Sequence, residues 1–243
     1  MNDKGISLIV PVYNEAEIIE ESIDVFTKAL RRITENFEII VVDDGSGDGT
    51  REILGKLSDQ NEKIKVFYNK KNVGSGASLW RGLKGAAGEY LISDFADRPF
   101  DLDELPALIN ILSSGNIDFV IGVRKDRSAN SFFRKITSFL NYFLVRFLFG
   151  VKVSDFQFVQ MYKKKVIDKI NIISRHTFVA PEIIIKALSL GYKYKEYCAD
   201  FYPRTKGRAK YSDLWFIFKS VVEIFVFYWH WEILKEKRDL ILT

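Results

Sequence analysis

Carboxylates, an amide and an arginine stand immediately after five short apolar runs of the sequence. Tyr13 and Glu15 follow Ile6 to Val12, and Asp43 and Asp44 follow Phe37 to Val42. Asn72 comes after Ile64 to Tyr68, Asp94 and Asp97 after Tyr90 to Ser93, and Arg124 after Phe119 to Val123. A single aspartate in such a place is ordinarily a helix cap or a turn former. Acidic residues at two such ends, with an arginine at a third, are suited to holding a phosphorylated ligand together with a divalent cation. Hard cations take oxygen ligands, and a guanidinium donates to phosphate as a planar fork.

The elements that must position these side chains follow from periodicity. Each apolar run is short and continuous, as expected of a buried parallel strand. Helical spacing of apolar residues fills Glu15 to Arg32, the stretch around Ile53 to Leu57, Ala77 to Ala87 and Leu102 to Leu112. The loop from Asp43 to Thr50 (DDGSGDGT) is rich in turn and N-cap residues. This alternation predicts an α/β fold, a doubly wound and mostly parallel sheet flanked by helices. Ligands of such sheets bind beyond the carboxyl ends of the strands, where the polar residues collect. A dinucleotide-binding reading of Gly74-Ser75-Gly76 fails, because Leu79 stands where a third glycine is needed and a polar loop precedes the glycines.

Composition narrows the class. A chain of 243 residues with 47% hydrophobic and 28% charged residues can bury the core of one large domain. A net charge of +4 leaves room for anionic ligands or an anionic membrane without calling for nucleic acid. The single cysteine, Cys198, excludes an internal disulfide and a cysteine-cluster metal site. The N-terminal apolar run is too short and too quickly broken for a signal peptide, so the expected location is the cytoplasmic side.

The motifs PVYNE (Pro11 to Glu15), VVDDGSGDGT (Val41 to Thr50) and NVGSGASLWRG (Asn72 to Gly82) occur in this order. Together they resemble the inverting glycosyltransferase family 2, whose members have the A-type nucleotide-diphospho-sugar fold. The third stretch is similar to the family's N-x-G-x-G-x-A-x-x-x-G pattern, with Ser78 after Ala77 as its substitution. The resemblance implies a nucleotide-diphospho-sugar donor bound by Pro11, Tyr13, Glu15, Asp43, Asp44, Asn72, Gly76 and Asp94. Backbone turns at Pro11 and Tyr13 would hold the base, with Glu15 and Asp44 accepting from its N–H groups. It also implies Mg²⁺ or Mn²⁺ at the end of the fourth strand, to stabilise the departing nucleoside diphosphate. The family's usual Asp-x-Asp is altered here to Ser93-Asp94-Phe95-Ala96-Asp97-Arg98-Pro99, with Asp97 on the second aspartate and Phe95 on the first. Two readings stand: a reshaped metal site on Asp97 and Asp94, or a weakened one in which Arg98 partly replaces the cation.

The second half resembles the subgroup that glycosylates polyprenyl phosphates, the dolichol-phosphate mannose synthases and their bacterial relatives. Carried over from that subgroup, Arg124, Arg134 and Ser138 would grip the lipid phosphate. Arg204 and Lys210, in the family's R-x-x-G-x-S-K stretch with Ala209 replacing Ser, would gather diphosphate charge. Asp155, in SDFQFVQMY, is expected to orient the acceptor or receive a residual proton, and Asp97 to act beside it in catalysis. The residues Gln157 to Gln160 differ from the subgroup's Ser-Gly-Phe-Arg. Glu182 is a further site candidate, with a helix-start charge as its equal alternative, whereas His176 and His230 are expected to lie outside the chemistry.

Two aromatic segments point to a membrane surface. Phe132 to Leu148 carries a wide apolar stripe, with Arg134, Lys135, Ser138, Asn141 and Arg146 on the other side, the build of an interfacial helix spanning 131–150. Leu214 to Trp231 is aromatic but interrupted by Lys219 and Glu223. It falls short of the roughly 20 uninterrupted apolar residues of a spanning helix. It reads as a second interfacial helix or a homo-oligomer contact. The expected organisation is therefore a catalytic domain over 1–212, followed by a C-terminal aromatic amphipathic helix within 213–243. The protein would be peripheral to the cytoplasmic face of the cell membrane. It would pass a sugar from a UDP- or GDP-sugar to a polyprenyl phosphate. Alternatives are transfer to a growing surface glycan, or a non-catalytic nucleotide-sugar-binding relative suggested by Phe95.

Overall fold

The computed structural model of the chain describes residues 5–125, 142–202 and 214–233. The strands are β1 (Ile6–Val12), β2 (Phe37–Asp43), β3 (Ile64–Tyr68), β4 (Tyr90–Ser93), β5 (Phe119–Arg124), β6 (Gln160–Lys163) and β7 (Tyr194–Ala199). They form one sheet of seven strands in the order β3-β2-β1-β4-β6-β5-β7. All neighbours run parallel except β6, which is antiparallel to both β4 and β5. The expected doubly wound, mostly parallel sheet is therefore present.

The helices are α1 (Ile19–Ile33), α2 (Thr50–Gln60), α3 (Ser75–Gly85), α4 (Leu105–Ser113), α5 (142–149), α6 (Lys164–Asp168), α7 (Val179–Ser189) and α8 (Leu214–Tyr228). They cover both faces of the sheet, and the alternation of side chains along each strand decides which face each residue serves. Leu8 and Val10 of β1 pack with Ile23 and Phe26 of α1, Leu54 of α2 and Leu108 of α4. The intervening Ile9 joins Leu83 of α3, Val145 of α5, Ile183 of α7 and Phe227 of α8 on the opposite face. A strand buried on both sides has no polar face to alternate with, which is why these strands read as continuous apolar runs.

Three features differ from those the periodicity predicts. The first helix begins at Ile19 and not at Glu15, because the Glu15 and Ala16 N–H groups are drawn away to Thr50 and Asp48. Leu102–Glu104 is a 3₁₀ turn started by the Asp101 side chain, which accepts from the Asp103 N–H; the α-helix proper then begins with Pro106 in its first turn. β6 and β7 are additions to the predicted strands, since QMYK and YKEYCA contain no continuous apolar run.

α8 turns Ile224 and Phe227 into the core but leaves Val222, Phe225 and Val226 exposed, with Trp229 exposed just beyond its end. On α5, Phe143 and Phe147 are exposed and stack on each other at 5.9 Å. Phe149 joins the two helices by packing on Phe227 and Tyr228. Among the described residues, no helix is long and apolar enough to cross a membrane.

Candidate active site

The loops after β1 and β2 are joined by side chain to backbone bonds. Asn14, in the left-handed region at φ 51°, donates its N–H to Ser46 Oγ at 2.9 Å, and its Oδ1 accepts from the Gly47 N–H at 2.9 Å. Glu15 N–H donates to Thr50 Oγ1 at 2.9 Å, and Ala16 N–H to Asp48 Oδ2 at 3.1 Å. The two motifs are thus halves of one surface, with Pro11 buried beneath it and Tyr13 exposed.

The paired aspartates at the end of β2 are turned inward. Asp43 is fully buried, accepting from the Ser46 N–H at 3.1 Å and from Arg51 Nε at 3.2 Å. Asp44 accepts from the N–H groups of Val73 and Gly74 and from Asn69 Nδ2, each at 2.9 Å. The expected partner of Asp44 is a base N–H, but these bonds instead hold the turn at 72–74, leaving Asn72 exposed at the rim. Gly45 permits the approach of that turn: its φ is 77°, and a Cβ there would lie 2.6 Å from the Lys71 carbonyl carbon.

Gly76 has a packing role that its motif position does not reveal. A Cβ on it would collide with the His176 carbonyl oxygen. Ala77 N–H donates to the Arg175 carbonyl at 2.8 Å, so the first turn of α3 is moulded on the segment 173–177. Glu182 lies beneath that segment, fully buried. It accepts from the Ile173 and Ser174 N–H groups and pairs with the equally buried Lys186. Glu182 therefore stands in the first turn of α7, as the helix-start reading has it, but its carboxylate is buried against this segment and Lys186.

The loop after β4 brings Asp94 and Asp97 close enough to interact. Asp94 is buried, with Oδ1 accepting from the Phe95 N–H at 2.9 Å and Oδ2 buried without a hydrogen-bond partner. Burial pushes its carboxyl well above the usual carboxylate range, with the Asp97 charge adding to the shift and the Phe95 N–H and Arg98 opposing it. Arg98, at φ 52°, pairs with Glu21 of α1 at 2.8 Å. Among the described residues, no three His, Cys, Asp or Glu side chains gather as a complete metal cage. A site of one or two carboxylates completed by diphosphate oxygens is the usual form for Mg²⁺, and the orphaned Asp94 oxygen beside Asp97 fits it.

On the other side of the sheet centre, Arg124 at the end of β5 is clamped by Asp155. Arg124 Nε and Nη2 donate to the two carboxylate oxygens at 2.8 and 3.2 Å. Tyr142 Oη and the Gln157 N–H also donate to Asp155 Oδ1, and Tyr142 Oη accepts from the Phe156 N–H. Burial raises the Asp155 pKa, but Arg124, Tyr142 and Gln157 outweigh it and hold the carboxyl below its ordinary value. The Tyr142 hydroxyl is pushed up to about 12, by burial first and then by the Asp155 charge. Asp155 is therefore a locked anion, ill suited to receive a proton; it fixes the direction of the Arg124 fork. Sequence reasoning misses Tyr142, and also Glu196, which takes both the N–H and the Oγ of the neighbouring Ser154. Arg134, Ser138, Arg204 and Lys210 lie outside the described residues, as does the predicted interfacial helix before residue 142.

Comparison with known proteins bears on the family and the fold. The model of the family described as glycosyl transferase family 2 matches residues 7–171. Two undecaprenyl-phosphate 4-deoxy-4-formamido-L-arabinose transferases are each 29% identical over 212 residues, covering 86% of this chain. They come from Yersinia pestis (strain Pestoides F) and Yersinia pseudotuberculosis serotype O:3 (strain YPIII). The chain spans 63% of the length of these relatives. Among solved structures, mannosyl-3-phosphoglycerate synthase from Rubrobacter xylanophilus aligns with TM-score 0.70 at 16% identity, covering 95% of this chain and 75% of that one. Glucosyl-3-phosphoglycerate synthase from Mycobacterium tuberculosis, in complex with Mn²⁺ and uridine-diphosphate-glucose, aligns with TM-score 0.69 at 18% identity, covering 93% and 79%. At these identities the two structures establish the shared fold.

Proposed function

Since the chain belongs to glycosyl transferase family 2, we propose that it moves a sugar, with inversion, from a UDP- or GDP-sugar to a polyprenyl phosphate at the cytoplasmic face of a membrane. One observation carries the choice of acceptor. Arg124 is aimed by Asp155, and Asp155 is held by Tyr142 of α5, the helix whose Phe143 and Phe147 stand exposed. A phosphate-reading guanidinium is thus tied to an apolar surface, the pairing that a lipid phosphate needs. The similarity to undecaprenyl-phosphate transferases supports the same acceptor.

In this reading the joined loops after β1 and β2 receive the nucleotide, with Tyr13, Glu15 and Asn72 at its rim and Asp43 and Asp44 shaping the loops. Asp97 and Asp94 would hold Mg²⁺ or Mn²⁺ with the diphosphate, and the cation would offset the charge of the leaving nucleoside diphosphate. Arg204 and Lys210 would add positive charge on the same side. Arg124, with Arg134 and Ser138, orients the lipid phosphate. A phosphate oxygen attacks the anomeric carbon while the bond from that carbon to the diphosphate breaks. The nucleophile is already an anion, so the step needs no strong base, and positioning with leaving-group stabilisation supplies the acceleration. Asp155 accordingly acts through Arg124.

The test is transfer by the purified protein from a panel of UDP- and GDP-sugars to undecaprenyl phosphate in liposomes. Glycosyl-lipid should form with Mn²⁺ or Mg²⁺ and cease with EDTA. Turnover on a soluble glycan, with none on the lipid, would overturn the acceptor assignment. Nucleotide-sugar binding without turnover on either acceptor would identify a binding protein.

A further inference from the structure

The segment 173–177 carries none of the residues assigned to transfer, yet its backbone is held with unusual completeness. Glu182 takes the N–H groups of Ile173 and Ser174. Glu223, from α8, takes those of Arg175 at 2.8 Å and His176 at 3.0 Å, and also contacts His176 Nδ1 at 2.8 Å. The Thr177 and Ser220 hydroxyls make a further link to α8. The held segment then presents two carbonyls to the start of α3. The Arg175 carbonyl accepts from the Ala77 N–H, and that of His176 fills the space that a side chain at residue 76 would need. An α8 carboxylate therefore reaches the glycine turn through a single intervening segment.

We propose that Glu223 is a positioning residue for the sugar-nucleotide donor, setting the backbone of the Gly74–Ala77 turn through Arg175 and His176. The inference rests on the reading of that turn as part of the donor site. A carboxylate is required for a physical reason. Three donors converge on its Oε1, more than the two lone pairs of an uncharged amide oxygen accept well, and a glutamine NH₂ in place of Oε2 would oppose the His176 N–H that lies 3.2 Å from it. Without the anchor, segment 173–177 can withdraw from Gly76, and the turn loses its template. The hydrogen bonds named in this linkage do not pass through Arg124, Asp155 or Tyr142.

The experiment is steady-state transfer kinetics on Glu223→Gln and Glu223→Ala, varying the UDP- or GDP-sugar that the wild type uses. The donor KM should rise about tenfold, the scale of one lost charge-assisted hydrogen bond. The value of kcat and the KM for undecaprenyl phosphate should stay within about twofold of wild type. A purely structural role gives the opposite split: less folded enzyme lowers the apparent kcat and leaves the donor KM alone. Phe227→Leu, which loosens the core contact of the same helix, serves as that control and should lower Tm without changing the donor KM. If the Glu223 variants do not fold, His176→Ala removes the imidazole contact with Glu223 together with the packing of the ring beside Gly74, and should raise the donor KM at least about threefold. A wild-type donor KM in the folded variants, or in His176→Ala if that must stand in, overturns the proposal. A wild type inactive with every donor instead overturns the functional reading on which it rests.

Discussion

Asp155→Asn should be the most damaging conservative substitution at the site. The carboxylate is fully buried and receives hydrogen bonds from Arg124 Nε and Nη2, Tyr142 Oη and the Gln157 N–H. Asparagine keeps the shape but presents an NH₂ to one of these donors, and it leaves the Arg124 charge without its counter-ion. Removing one partner of a buried pair costs about 3–5 kcal/mol. The Arg124 side chain is 14% exposed, so water recovers part of the loss and the lower end applies. For a chain of 243 residues, a loss of about 3 kcal/mol corresponds to roughly 6–12 °C in Tm. Urea unfolding followed by tryptophan fluorescence measures the change directly, and transfer should be lost with it. The pair can be separated from its function. Arg124→Met with Asp155→Leu should recover only part of the stability, because apolar replacement of a buried ion pair is often neutral but the Tyr142 hydroxyl and the Gln157 N–H lose this acceptor, while transfer stays absent. The pH dependence has a fixed sign. The folded pKa of Asp155 is depressed, so its contribution is complete above the unfolded value of about 3.9 and is lost as pH falls through the folded value. The gap between wild type and Asp155→Asn should therefore narrow in acid. An unchanged urea midpoint at neutral pH, or a gap that persists undiminished in acid, refutes the account of Asp155 as a locked anion.

Asp97→Ala and Asp44→Ala should each weaken nucleoside-diphosphate binding by about 1–3 kcal/mol, but only the Asp97 loss should vanish when calorimetry is repeated without Mn²⁺. Equal losses in both conditions would remove Asp97 from the metal site. Gly76→Ala should lower stability by about 1–3 kcal/mol or more, since the new methyl meets the His176 carbonyl and a backbone group must move; an unchanged Tm contradicts that packing. The protein should float with anionic liposomes in a density gradient. Phe143→Ser with Phe147→Ser should reduce flotation and lipid glycosylation together, leaving nucleotide affinity intact. Wild-type protein that stays unbound at low salt but sediments as a dimer would make the α5 and α8 faces an oligomer contact.

The sheet is legible in the sequence wherever burial on both faces produces a continuous apolar run, as in Ile6–Val12 and Phe37–Asp43. It is illegible where neighbours supply the burial. β6 is a four-residue strand that takes its partners from β4 and β5 on either side, and QMYK alone announces no strand. The start of the first helix is displaced for a related reason: Glu15 and Ala16 have helical spacing, but Thr50 and Asp48 compete for their N–H groups from another loop.

The same division separates the two halves of the site. On the donor side, the residues that touch are also the residues that form motifs, because two loops at adjacent strand ends bind each other through side chains within PVYNE and DDGSGDGT. Residue type and position therefore suffice to predict that these two loops meet. On the side proposed for the acceptor, type alone leaves the role open. An aspartate beside an arginine reads as a base or as an orienting group according to whether its lone pairs are free. That depends on Tyr142, 13 residues earlier, whose hydroxyl faces inward from a helix conspicuous in sequence for its apolar stripe. Helical periodicity identifies which residues share a face but does not say which polar group on a neighbouring face finds a buried carboxylate. His176 and Glu223, 47 residues apart, show the same limit. A histidine assigned no chemistry belongs to the link between the C-terminal helix and the glycine turn, and the turn's sequence carries no trace of that support.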